Sequence, residues 1–155
     1  MKRSHILLIF ILKNMATLTT QIYEILNLNG DNVGSSVTNT INGINYVDNR
    51  ILSVPTGSVT TLFSMDANPG AGTFVTSSIK YIRVSNISTV NAPIQLVVSS
   101  STEAMSYSVT TGSSYMLSTS KMTGSVGGLN FDDIKSVKVQ PSGSPATIEY
   151  YIATN

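Results

Sequence analysis

Residues 79–100 read IKYIRVSNISTVNAPIQLVVSS, and this stretch decides the fold class. Ile94, Leu96 and Val98 fall on one side of an extended chain, with Gln95 and Val97 on the other. Residues 79–86 are rich in the β-branched and aromatic types that suit a pleated surface. Between the two runs, ISTVNA carries turn residues and stops at Pro93. The stretch predicts two strands lying as a pair.

The same grammar continues on both sides. Towards the C-terminus, AMSYSVT (104–110) and SYMLST (114–119) flank TGS and resemble a hairpin. KMTGSVGGLN (121–130) is a glycine-rich loop. In DIKSVKV (133–139), Ile134 is out of register with Val137 and Val139, and Lys135 and Lys138 fall on opposite faces. TIEYYIA (147–153) follows the PSGSP turn and puts Ile148, Tyr150 and Ile152 on one face. Towards the N-terminus, SVTTLFSM (58–65), RILSV (50–54) and SVTNTINGINYV (36–47) read as strands. DANPGAGTF (66–74) is the most punctuated loop. NLNGDNVGSS (27–36) is a turn-rich hinge whose Asn29-Gly30 favours positive φ. TLTTQIYEIL (17–26) reads as a strand, with helix as the alternative.

Roughly eight to ten strands at such spacing, without a long periodic helix, predict one all-β domain over residues 15–155. The expected architecture is an antiparallel β-sandwich, jelly-roll-like. Its expected core is Ile79, Ile82, Val84, Ile94, Leu96, Val98, Val137, Val139, Ile148, Tyr150 and Ile152.

Composition narrows the function classes. Of 155 residues, 11% are charged, against about 25% in ordinary domains. Ser, Thr, Asn and Gly take their place. The formal charge is +1 with no basic stripe, which argues against a nucleic-acid partner. There is no Cys, hence no disulfide framework and no thiolate chemistry, and no Trp.

Residues 1–14 pose a separate question. Lys2, Arg3 and the run Ile6 to Leu12 resemble the start of a signal peptide, but Lys13-Asn14 follows in place of a small-residue cleavage site. The run is too short to span a membrane. The expectation is a mis-called start, with translation from Met15. The alternatives are a leader cut after Ala16 and a structural arm. Starting at Met15 removes Lys2, Arg3 and Lys13, takes the formal charge from +1 to −2, and removes His5, the single histidine.

No catalytic, cofactor-binding or metal-ligating residue set is expected. NPGAG (68–72) and GSVGG (124–128) lack the Lys-Ser/Thr pair of a phosphate loop. Asn27, Asn29 and Asp31 alternate like calcium ligands, but only one of them is a carboxylate, so a turn is the favoured reading. Asp132 and Asp133 point to opposite faces of a strand; acid–base work would need Glu103, Asp66 or Glu149 beside one of them. A serine nucleophile would have no histidine base outside the leader. Tyr107, Tyr115, Tyr150 and Tyr151 suggest a glycan-binding groove, set against half-buried strand tyrosines as the commoner case. Asn86 opens an N-I-S acceptor triplet, of a kind that a chain this rich in Asn and Ser meets by chance.

Several segments together carry a family resemblance: GAGTFVTSSIKYIRVSNIS (70–88), APIQLVVSS (92–100), FDDIKSVKVQ (131–140) and ATIEYYIATN (146–155). The opening MATLTTQIYEILNLNGDN (15–32) fits with them. The chain resembles small virion structural proteins of aquatic tailed bacteriophages. The resemblance implies a non-enzymatic capsid decoration, head-fibre or tail-associated protein in the virus particle. It would bind other virion proteins and work as a homo-oligomer, by family analogy a trimer, with no nucleic-acid or membrane partner and with a host surface glycan as a further ligand class. The alternatives are an exported bacterial surface or pilus-type module and a carbohydrate-binding β-sandwich.

Overall fold

The computed structural model describes residues 16–65, 73–74, 79–118, 125–126, 129–130 and 133–155. The leader with His5, the NPGAG segment, most of GSVGG, Asp66 and Asp132 lie outside the described residues. Among the described residues all regular elements are strands, as expected. They are β1 (Ala16–Tyr23), β2 (Asn27–Leu28), β3 (Asp31–Asn32), β4 (Ser36–Ile44), β5 (Tyr46–Val54), β6 (Thr60–Met65), β7 (Thr73–Phe74) and β8 (Ile79–Asn86). Then follow β9 (Ile94–Ser100), β10 (Ala104–Val109), β11 (Ser114–Leu117), β12 (Ser125–Val126), β13 (Leu129–Asn130), β14 (Ile134–Pro141) and β15 (Ala146–Thr154).

Two sheets face each other. The first has the order β5-β15-β8-β11, the second β6-β14-β9-β10, and all of these pairs are antiparallel. The short β7 runs parallel to β6. The pairing is nested. β5 pairs with β15, β6 with β14, β8 with β11, and β9 with β10. Successive outer strands therefore alternate between sheets, which is the winding of an eight-stranded jelly roll.

The expected core is the observed one. All eleven residues named from the sequence are at most 2% exposed, and Phe63, Leu62 and Val54 join them. Alternation explains most of it; two bulges explain the rest. In β14 the pairing to β9 slips between Ile134 and Ser136, so Ile134 turns back inside while Lys135 and Lys138 are both exposed. Neither of the two lysines, expected on opposite faces, is carried into the core. In β6 a second slip opposite Val137 and Lys138 lets the consecutive Leu62 and Phe63 both be buried.

Two expected pairings are corrected. β8 and β9 are not neighbours but belong to opposite sheets, and so do β10 and β11. ISTVNA and TGS are crossings, not hairpin turns. Asn86 clasps them together. Its Nδ2 donates to the carbonyls of Ala92 at 2.8 Å and Val109 at 3.1 Å. Its Oδ1 accepts from the Ser88 hydroxyl at 2.7 Å, and Thr111 Oγ1 donates to the Val90 carbonyl at 2.9 Å. Burying one polar side chain with every group satisfied lets the chain leave one sheet for the other at two places.

Candidate functional site

Residues 16–44 stand apart from the sandwich as one long hairpin. β1 pairs with β4 from Leu18↔Ile41 to Tyr23↔Ser36, and β2 pairs with β3 at Asn27↔Asn32 and Leu28↔Asp31, the two ladders being separated by residues 24–26 and 33–35, which are not strand. The middle is bridged by Glu24 N–H to the Ser35 carbonyl and Val33 N–H to the Leu26 carbonyl, both 2.8 Å. The turn is Asn29-Gly30, with φ of 54° and 93°. Positive φ at both central residues makes the two-residue turn whose twist suits a hairpin. Halfway along, Gly34 lets the strands close up: a Cβ there would lie 1.9 Å from the Glu24 carbonyl oxygen.

One face of this arm carries its large aliphatic side chains, interleaved with Thr20 and Asn39 near the root, the hydrogen-bonded Glu24 and Ser35 at the middle, and Asp31 at the tip. Leu18, Ile22, Leu26 and Leu28 alternate along one strand, opposed by Ile41, Val37 and Val33. Thr19, Gln21, Thr38 and Thr40 fill the other face near the root. At the root the stripe is covered. Ile41 and Ile44 are buried with Tyr81 and Ala153 on the outer side of the first sheet, and Leu18 and Tyr151 pack against them. Tyr81 and Tyr151 meet edge-to-face at 6.1 Å. Burial pushes the Tyr81 hydroxyl pKa above its ordinary value.

Beyond the root the cover stops. Ile22, Val37, Leu26, Leu28 and Val33 are between 44% and 60% exposed, and Ile25, on the opposite face, is 84% exposed. Between the departing arm and the sheet lies an open groove of about 870 Å3. Ile22 and Val37 form one wall, and Tyr81, Met116, Tyr151 and Arg83 form the other. Among the described residues Arg83 is the single charged residue lining it; its guanidinium is held by Glu149 at 3.1 Å and the Ser85 hydroxyl at 3.0 Å.

The residues singled out from the sequence fall elsewhere. Asn27, Asn29 and Asp31 make the hairpin tip, where Asn27 Oδ1 accepts from the Gly30 N–H at 3.1 Å. Its oxygen closes the turn. Among the described residues no cluster of three His, Cys, Asp or Glu side chains could hold a metal. Asp133 accepts from Ser101 and from Lys135 Nζ at 2.6 Å. The Lys135 and Ser101 donors together hold its pKa down at about 2. Glu149 is on the other sheet with Arg83, so these two carboxylates do not share a site. Glu103 is exposed in the loop before β10.

The four tyrosines line no common groove. Tyr107 and Tyr115 pack on each other at 4.8 Å against the core, and Tyr150 is buried with its hydroxyl donating to Asp48 at 2.7 Å. Only Tyr151 reaches the outer groove. Asn86 is 1% exposed with its amide fully engaged, so the acceptor triplet is closed to glycosylation in the folded protein.

The arm was missed as a site because periodicity reports an apolar face, not whether anything covers it. The available signal was the absence of Lys, Arg and Pro from residues 16–44, a long strand pair without the usual guards of an open edge. No family model matches this chain, and no curated protein does.

Proposed function

We propose that this chain is a non-enzymatic structural subunit of a virus particle: a capsid decoration, head-fibre or tail-associated protein. The observation that carries the reading is the arm, whose Ile22, Leu26, Leu28, Val33 and Val37 stand about half exposed beyond its root. Such exposed apolar surface marks an interaction site. Two further observations support it. Double-sheet jelly rolls are used for viral capsid and lectin domains, a likeness of architecture alone. The surface carries hydroxyls and amides with few charges, so attachment would rest on shape, apolar contact and backbone pairing rather than on salt-sensitive ion pairs. Residues 70–88, 92–100, 131–140 and 146–155 add their resemblance to virion proteins of tailed phages.

The test is mass spectrometry of purified particles of the virus that carries the gene. Several copies of the chain per particle are expected. Its absence would overturn the proposal, as would turnover of any substrate that Asp133→Asn abolishes.

A further inference from the structure

We infer that β5 is a self-recognition edge: two copies pair their β5 strands antiparallel about a twofold axis at Asn49, so that their first sheets run on as one. The inference rests on the reading of the chain as an assembly subunit and names a surface that assembles it.

The first observation is the edge itself. β5 is nine residues long and pairs along its whole length with β15 on one side. On its other side it pairs with no strand among the described residues. The other outer strands offer less. β11 has four residues, β10 exposes Ala104, Ser106 and Ser108, and β6 has β7 beside it. β5 instead leaves Tyr46, Val47 and Ile51 between 49% and 65% exposed. A long edge that shows apolar side chains and carries no Lys or Pro is a template for another strand.

The second observation says which strand. Read outward from Asn49, β5 is complementary to its own reverse. An antiparallel pair centred there sets Val47 against the second copy's Ile51, Asp48 against its Arg50 and Tyr46 against its Leu52, and symmetry repeats each pair. Opposed residues share one face of the sheet, with Cα atoms about 4.5–5.5 Å apart. On the outer face the Val47–Ile51 pairs flank the two Asn49 amides, which donate to and accept from each other. On the inner face each carboxylate meets a guanidinium.

The third observation fixes the register. Asp48 and Arg50 already hold each other within one strand at 2.8 Å, and Asp48 also accepts from the Tyr150 hydroxyl. The ion pair is neutral as a unit, so it supplies register rather than net attraction. Moving the axis by one residue sets Asp48 against Asp48 or Arg50 against Arg50, and like charges directly opposed are destabilising. A contact in which the same strand serves both sides closes at two copies.

The chain has no cysteine, so a single introduced thiol is diagnostic. Asn49 and Ser53 are both exposed on the outer face of β5. Asn49→Cys puts the two thiols on the axis, within disulfide reach. Ser53→Cys leaves them eight positions apart, on the order of 26 Å at about 3.3 Å per residue. After oxidation of the full-length variants, a disulfide dimer is expected from Asn49→Cys and none from Ser53→Cys. No dimer from the first, or as much from the second, would overturn the inference.

Sedimentation gives the second readout. The unmodified chain is expected to be a dimer. Ile51→Lys, at an exposed position, is expected to be a monomer with unchanged β-type circular dichroism. Asn49→Asp sets two carboxylates face to face on the axis. It is expected to be monomeric at neutral pH and to dimerise as pH falls below about 4, where the acids gain protons. A monomeric or trimeric parent, or a dimer that survives both substitutions at neutral pH, would overturn the inference. Particles that contain a chain monomeric in solution would sink this inference and leave the virion reading standing. A dimer linked through Asn49→Cys in a chain absent from particles would do the reverse.

Discussion

Asn86 in β8 donates from Nδ2 to the carbonyl oxygen of Val109 at 3.1 Å, tying the first sheet to a strand of the second. The same amide holds Ala92, and its oxygen holds Ser88. Asn86→Ala strands these groups in a dry site, where each orphan costs about 1–3 kcal/mol. The expected loss is about 3–5 kcal/mol in urea unfolding. Asn86→Asp sets a carboxylate against two carbonyls, so its penalty should shrink as pH falls and the acid gains a proton to donate. A loss under about 1 kcal/mol for the alanine variant would remove the clasp from the account.

Leu96 is fully buried between the sheets. Leu96→Ala is expected to cost about 2–5 kcal/mol, transfer and cavity together. Its neighbour Gln95 is exposed on the far face, and Gln95→Ala is expected to stay within about 0.5 kcal/mol. Equal effects at the two positions would contradict the facing of β9.

Gly34 approaches the Glu24 carbonyl too closely for any side chain. Gly34→Ala is expected to prise the arm open at its midpoint. The N–H groups of Glu24 and Val33, which bridge the strands there, should exchange faster with solvent. The thermal midpoint of the sandwich should move little, because the distal arm adds nothing to the main core. A large fall in that midpoint would mean that the arm is part of the cooperative unit.

Burial, helped by the hydrogen bond to Asp48, raises the Tyr150 hydroxyl pKa to about 12. The unfolded chain ionises this group nearer 10, so stability is full below about pH 10 and falls as pH rises towards 12. Asp133 works in the opposite sense. Its lowered pKa supplies stability above the ordinary carboxylate range, lost as pH falls towards 2. Tyr150→Phe should flatten the alkaline limb and, below pH 10, cost about 1.5–3 kcal/mol for a bond to a charged partner. An alkaline limb unchanged in this variant would assign the fall to other groups.

The core was legible because alternation is a local property. Ile94, Leu96 and Val98 announce their face without reference to any partner. Pairing was not legible, because the nested winding makes chain neighbours such as β10 and β11 into occupants of opposite sheets. TGS looks like a hairpin turn in one dimension; what redirects it is the Asn86 amide, some 25 positions earlier, with the Thr111 hydroxyl. The Asn29-Gly30 turn was legible, but not the separation of the arm. Ile22, Leu26 and Leu28 are spaced like core residues, and nothing in their spacing tells a covered stripe from a bare one.

The nested pairing also sets an order of events. Like brackets in a written expression, the innermost pair can close first and the outermost last. β9 and β10 meet across a three-residue loop, whereas the Tyr150 hydroxyl finds Asp48 across 102 positions. Closing so long a span costs entropy before any contact repays it, and chains of this kind fold in milliseconds to seconds rather than microseconds. In pulse-labelled refolding, amide protection should appear in the Val97–Ser106 ladder before the Leu52–Ile148 ladder. Until β15 arrives, β5 and β8 each present an unpaired edge. The interval between the first and last pairing is therefore the period in which this chain is most exposed to capture by its neighbours.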